Sequence, residues 1–139
     1  MRGAVFLLAV LSGLCGLAAC GREAAPGTSA AAEHLEWRGS SSCADCDGIE
    51  TVLVLQRDGQ AHGYRLSETY LAAEGAARFD DAGSWEVEGA VLRMLGEGGS
   101  ERRYAVLPDG RLQARDGAGR RLRSGDGEAL EPVAVGQDP

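Results

Sequence analysis

Between residues 34 and 122, apolar side chains recur at every second position. The runs are too short for a helix, and each is cut by a glycine or by an acidic residue followed by glycine. A period of two sends alternate side chains to opposite faces, which is the signature of a half-buried strand. Leu35 and Trp37 alternate with Glu36 and Arg38, Tyr64 and Leu66 with Gly63 and Arg65, and Trp85 and Val87 with Glu86 and Glu88. Leu112 and Ala114 repeat the pattern later. Asp58-Gly59, Glu74-Gly75, Glu88-Gly89, residues 96–100, Pro108-Asp109-Gly110 and residues 117–119 supply the breaks. Residues 51–55 are a continuous apolar run, which predicts a strand buried on both faces. Residues 77–80 read as a short strand before a turn at Gly83, and residues 120–122 as a last short strand. Ser67 could cap a helical turn over residues 67–74, but the even spacing of Tyr64, Leu66 and Tyr70 favours strand for its first half. The reading is all-β, with seven or eight short strands in sequence. Such a meander closes best as a small antiparallel up-and-down barrel, because closure removes exposed edges.

Composition narrows the function. Among 139 residues there are 21 glycines without a G-X-Y period, so the glycines mark turns rather than collagen. The net charge is −7 and every Lys-or-Arg position is arginine. An acidic chain lacks the basic footprint that phosphate binding needs, so nucleic acid is excluded as a partner. Arg120, Arg121 and Arg123 cluster, but Asp116 and Asp126 flank them, as on a solvated edge strand. No Ser-His-Asp set, phosphate loop or paired acidic site is present, so no enzyme is expected. Asp80-Asp81 reads as turn chemistry.

The N-terminal segment carries a different signal. Met1 and Arg2 precede an apolar stretch, residues 4–14, too short to span a membrane but long enough for a signal peptide. Leu17-Ala18-Ala19-Cys20 then resembles the bacterial lipobox, in which the cysteine is acylated and becomes the first residue after cleavage. Acyl chains anchor by burying CH₂ groups at about 0.8 kcal/mol each. The plain alternative is an ordinary signal peptide cut after Ala19. Gly21 is not aspartate, so the resemblance to sorted bacterial lipoproteins implies the outer membrane, facing the periplasm. The expected organisation is therefore a lipoprotein signal peptide over 1–19, a lipidated Cys20 with a flexible tether to 33, a folded body over 34–123, and a loose tail over 124–139. Residues 130–135 of that tail would lie on the domain.

One segment has pointed chemistry: Cys43-Ala44-Asp45-Cys46-Asp47-Gly48-Ile49. Two cysteines three apart can close a disulfide, hold a soft metal or cycle between the two redox states. A disulfide is the default in an oxidising compartment. Cu(I) accepts as few as two thiolates, whereas zinc wants four ligands and a second such pair is absent. His34 and His62 have no spacing that brings them to the thiols, and each reads as a surface residue. Asp45 and Asp47 raise the thiol pKa and work against a reactive thiolate. A thiol oxidoreductase therefore ranks last.

Trp37-x-Gly39, the Cys43-to-Thr51 segment, the apolar strand after it, Tyr64-x-Leu66-x-Glu68-x-Tyr70, Phe79 and Gly83-x-Trp85 together resemble the N-terminal domain of the NlpE-type copper-resistance lipoproteins. The resemblance covers residues 35–119. It implies a lipocalin-like β-barrel and an envelope lipoprotein tied to copper tolerance, adhesion sensing or lipoprotein-trafficking stress, feeding a sensor kinase. It admits copper(I) at Cys43 and Cys46; no other cofactor is indicated. Two departures stand out. The family pattern has proline before the first cysteine, where this chain has Ser42, and the second, OB-like domain of longer members has no counterpart in this sequence. The competing reading is a carrier barrel for a small lipid-like ligand, lined by Trp37, Tyr64, Trp85 and Met94, with the cysteine pair merely structural.

Overall fold

The computed structural model describes residues 33–122 and 129–134; the segments expected as signal peptide, lipidated Cys20 and tether up to residue 32, and the rest of the expected tail, lie outside them. Each glycine-bearing break up to residue 110 becomes a turn between antiparallel neighbours. β1 (Glu33–Ser41), β2 (Gly48–Asp58), β3 (Ala61–Ala72), β4 (Gly75–Glu88), β5 (Val91–Gly96), β6 (Glu101–Val106) and β7 (Leu112–Arg115) follow one another as a meander. Gly59, Gly89 and Gly110 take the positive φ values (59°, 61° and 84°) that their tight turns require. The all-β up-and-down reading is therefore the observed fold, with eight strands in the order β7-β6-β5-β4-β3-β2-β1-β8.

The eighth strand closes the sheet. β8 (Glu131–Pro132) pairs with Trp37 and Arg38 of β1, and Val133 N donates to Glu36 O at 2.8 Å. One residue earlier, Leu130 exchanges both backbone hydrogen bonds with Leu112 of β7, at 2.8 and 2.9 Å. Residues 130–133 thus act as a strap joining the first and seventh strands. They belong to the segment expected as a tail that lies on the domain. Gly39 makes room for the strap: a Cβ there would sit 2.8 Å from Leu130 Cδ2 and 3.0 Å from Ala129 O.

Alternation decides what is inside. Leu53 and Leu55 of β2, Tyr64 and Leu66 of β3, Leu92 and Met94 of β5, Tyr104, Leu112 and Leu130 form one buried cluster, with Trp37, Trp85 and Ala114 packed against it. Burying each large side chain contributes roughly 1.5–3 kcal/mol, so this cluster dominates the stability of the body.

Three local readings need correction. β2 is not buried on both faces, because Val52 and Val54 are only half-buried. Among the described residues, no second layer covers the outside of the barrel. The stretch 77–80 is part of a continuous β4, and Gly83 is not a turn. A Cβ at Gly83 would lie 2.0 Å from Leu95 O, so the glycine lets β5 join β4 at that point. β3 runs as strand through Ala72, as the even spacing of Tyr64, Leu66 and Tyr70 favours. Residues 120–122 form no strand; Arg121 makes one bridge to Arg115. There Asp116 organises a tight turn by accepting from the backbone N–H of Ala118 and Arg120, at 2.9 and 2.8 Å.

Candidate functional site

The strap covers only part of the seam between β1 and β7. Beyond it lies a cavity of about 260 Å³, whose lining includes Ser41, Thr51, Glu68, Arg102, Tyr104 and Leu130. Its polar groups follow from the same alternation that builds the core. Glu68 is two residues beyond Leu66 on the inward face of β3, and Arg102 is two residues before Tyr104 on β6. The two strands are not neighbours in the sheet, so their side chains meet across the interior. Arg102 donates to both oxygens of Glu68, at 3.0 and 2.9 Å, a bidentate pair that satisfies both groups. Burial alone would lower the Arg102 pKa, but the Glu68 carboxylate outweighs it and holds the guanidinium more firmly protonated than usual. Burial raises the Tyr104 pKa, so the phenol stays neutral.

A second polar knot joins three elements at the same level. Asp81 of β4 accepts from Ser100 Oγ at 2.6 Å and from Tyr64 Oη at 3.0 Å. The Ser100 hydroxyl, ahead of the other donors, holds the Asp81 carboxyl below its usual pKa. Thus Asp81, expected as turn chemistry, is a cross-strand acceptor within a strand.

The cysteine loop springs from the lip of this cavity. Ser40, Ser41 and Ser42 line the cavity, and Cys43 follows at once. Cys43 and Cys46 are joined as a disulfide, with Cα atoms 5.2 Å apart. Asp47 N donates to Leu71 O at 2.8 Å, which ties the loop to the end of β3. Cys46 Sγ lies 3.4 Å from Gly48 O. In the disulfide that sulfur has no proton to donate, but a Cys46 thiol would find an acceptor there. Among the described residues, no group of three or more His, Cys, Asp and Glu side chains is placed to hold a metal ion. In the disulfide state the pair offers no thiolate.

The other singled-out residues lie apart from the cysteines. Tyr64 and Met94 are in the packed core, 3% and 0% exposed. Trp37 donates its indole N–H to Gly110 O at 2.9 Å, and Trp85 donates to Gln56 O at 3.2 Å. His62 stacks on Trp85 with ring centroids 4.4 Å apart, while His34 is exposed. None of Trp37, Tyr64, Trp85 and Met94 is in the lining of the cavity. Sequence reasoning missed Glu68 and Arg102 as partners. The available signal was a charge falling on the inward phase of two strands. It also missed Gly39 and Gly83 as points of close approach, although both belong to the motif quoted for the family.

Comparison with known proteins agrees with this geometry. Residues 37–125 match the NlpE N-terminal domain. The chain is 34% identical over 96 residues to "Lipoprotein NlpE" of Escherichia coli K12, a match covering 68% of this chain and 39% of that protein. It also superposes on the crystal structure described as the Cpx pathway activator NlpE from Escherichia coli, with TM-score 0.57 and 33% identity, covering 65% of this chain and 46% of that one. The chain thus spans less than half the length of the relatives it matches, and neither of their names describes an enzyme. Barrel, cysteine loop and sequence all lead to one assignment: the chain belongs to the NlpE family through that family's N-terminal domain.

Proposed function

We propose that this protein is a lipid-anchored envelope lipoprotein that reports stress to a membrane-bound sensor protein, with the Cys43–Cys46 loop as its responsive part. One observation carries the reading above all: a disulfide-joined loop stands at the lip of a cavity in a barrel whose other half is packed by apolar side chains. Cys43 and Cys46 are the only cysteines among the described residues, so redox change has one address there. Reduction by a dithiol donor breaks the S–S bond. Two electrons and two protons pass to Cys43 and Cys46, and the donor leaves as its own disulfide. Of the freed thiols, Cys46 has Gly48 O within reach as an acceptor. Copper(I) binding at the pair must displace those protons, so its affinity falls as pH falls.

Cys20 supplies the anchor in this reading, and Gly21 after it favours the outer membrane with the barrel facing the periplasm. The described relative is named as a Cpx pathway activator, which supports an envelope-stress role for this chain. The packed core, and a cavity that is below the usual size of ligand pockets and holds the Glu68–Arg102 ion pair, favour a reporter over a lipid carrier.

The test is a stress-reporter strain carrying the wild-type chain, Cys20→Ala, or Cys43→Ser with Cys46→Ser, each challenged with copper or a thiol reductant. The wild type is expected to raise the reporter, Cys20→Ala to lose localisation and response together, and the double serine variant to be localised but unresponsive. A double serine variant that responds like wild type would remove the loop from the mechanism. A cuprous titration of the reduced protein isolates the metal part: one equivalent bound, lost in the double serine variant, is expected.

A further inference from the structure

The first half of β4 is a sheet edge. β5 begins its pairing only at Gly83, so residues 75–81 have β3 on one side and, among the described residues, no strand on the other. All but Asp81 of these residues are exposed, and Phe79 is 60% exposed with its ring edge-on to Tyr70 at 5.2 Å. The backbone parity is fixed. Glu97 N donates to Ala82 O, so the carbonyl of Ala82 points to the open side, and alternation puts Ala76, Arg78 and Asp80 in the same phase. Among the described residues those three N–H and C=O pairs have no backbone partner on that side. An unpaired edge with an exposed aromatic residue is a template for another strand.

The charges choose the strand. In antiparallel pairing of two copies of this edge, outward-pointing groups must meet outward-pointing groups, so only even-numbered residues can exchange hydrogen bonds. A register centred on Arg78 sets Arg78 against Arg78, and one centred on Asp80 sets Asp80 against Asp80. Both put like charges face to face. The register centred on Phe79 sets Arg78 against Asp80 twice and brings the two Phe79 rings together in the close, non-hydrogen-bonded position. Within one chain Arg78 Nε already lies 2.9 Å from Asp80, and Ser67 donates to the same carboxylate, so the ionic groups are held at the edge. We propose that two copies of this chain pair through residues 77–81 of β4, antiparallel about Phe79, as an isologous dimer. The pairing is short and the dimer correspondingly weak in solution. It does not depend on the chemistry of the cysteine loop.

Sedimentation of the purified full chain in density-matched detergent tests this, with thermal melting as a check on folding. The wild type is expected to show a reversible monomer–dimer equilibrium. Arg78→Asp and Asp80→Arg should each weaken the dimer about tenfold, because each turns two attractive cross-strand pairs into repulsive ones. The double variant Arg78→Asp with Asp80→Arg restores the opposite pairing and should recover most of the affinity. A chain that stays monomeric at every concentration overturns the proposal. So does a dimer indifferent to the single changes, or one that the double variant fails to restore, since another occupant of the edge would have no reason to follow the swap.

Discussion

The packed half of the barrel and its open rim are built from the same strands by the same alternation, yet they differ in what alternation delivers inside. On β3, Tyr64 and Leu66 are buried in the apolar cluster, and the next inward position, Glu68, faces a cavity and an arginine. On β2, Leu55 and Leu53 give way to Thr51. The packed half has apolar partners all round. At the rim, β5 ends at Gly96, the strap has passed, and polar groups satisfy one another instead. The difference teaches that the fold is held from one half, which leaves the other able to carry a reducible loop and an open edge.

The packed half should answer most strongly to substitution. Met94→Ala, at a fully buried position, is expected to cost about 3–4 kcal/mol and to lower the melting temperature more than any rim variant. Gly83→Ala comes next. Its Cβ would collide with backbone at Leu95 O, so the β4–β5 junction must shift, at about 2–3 kcal/mol by chemical denaturation. At the rim, Glu68→Ala leaves Arg102 without its partner. Because Arg102 is more than a third exposed, water compensates part of the loss, and about 1–2 kcal/mol is expected. Cys43→Ser with Cys46→Ser opens only a very small loop and should cost roughly 1 kcal/mol. The smallest effect is in pH. Asp81 has its pKa lowered in the fold, so its stabilising share is fully present above the ordinary carboxylate range and is lost as pH falls through the depressed value. Asp81→Asn should flatten the acid limb of a stability–pH curve by lowering stability at neutral pH and converging with the wild type in acid. If a rim variant instead outweighed Met94→Ala, the division between the halves would be broken.

Much of the packed half was legible in the sequence. Tyr64 with Leu66 and Leu112 with Ala114 announce inward faces by spacing alone, and Asp58-Gly59 announces its turn. The rim was less so, for reasons that are physical. Whether Gly83 turns the chain or admits a neighbour depends on where β5 begins, which is a non-local fact. Glu68 meets Arg102 only because the sheet curls round on itself. Leu130 closes the seam from a segment with weak periodicity, and its signal lay in Gly39, 91 positions away, where a missing Cβ makes the space.

Hydrogen exchange on the oxidised and dithiol-reduced protein puts the division of labour to the test most directly. Reduction is predicted to speed exchange at the Asp47 amide and its neighbours in residues 40–48, while the amides of Leu53, Leu66, Leu92 and Met94 keep their protection. Protection lost through those core strands, or an Asp47 amide indifferent to the state of the cysteines, would contradict the account.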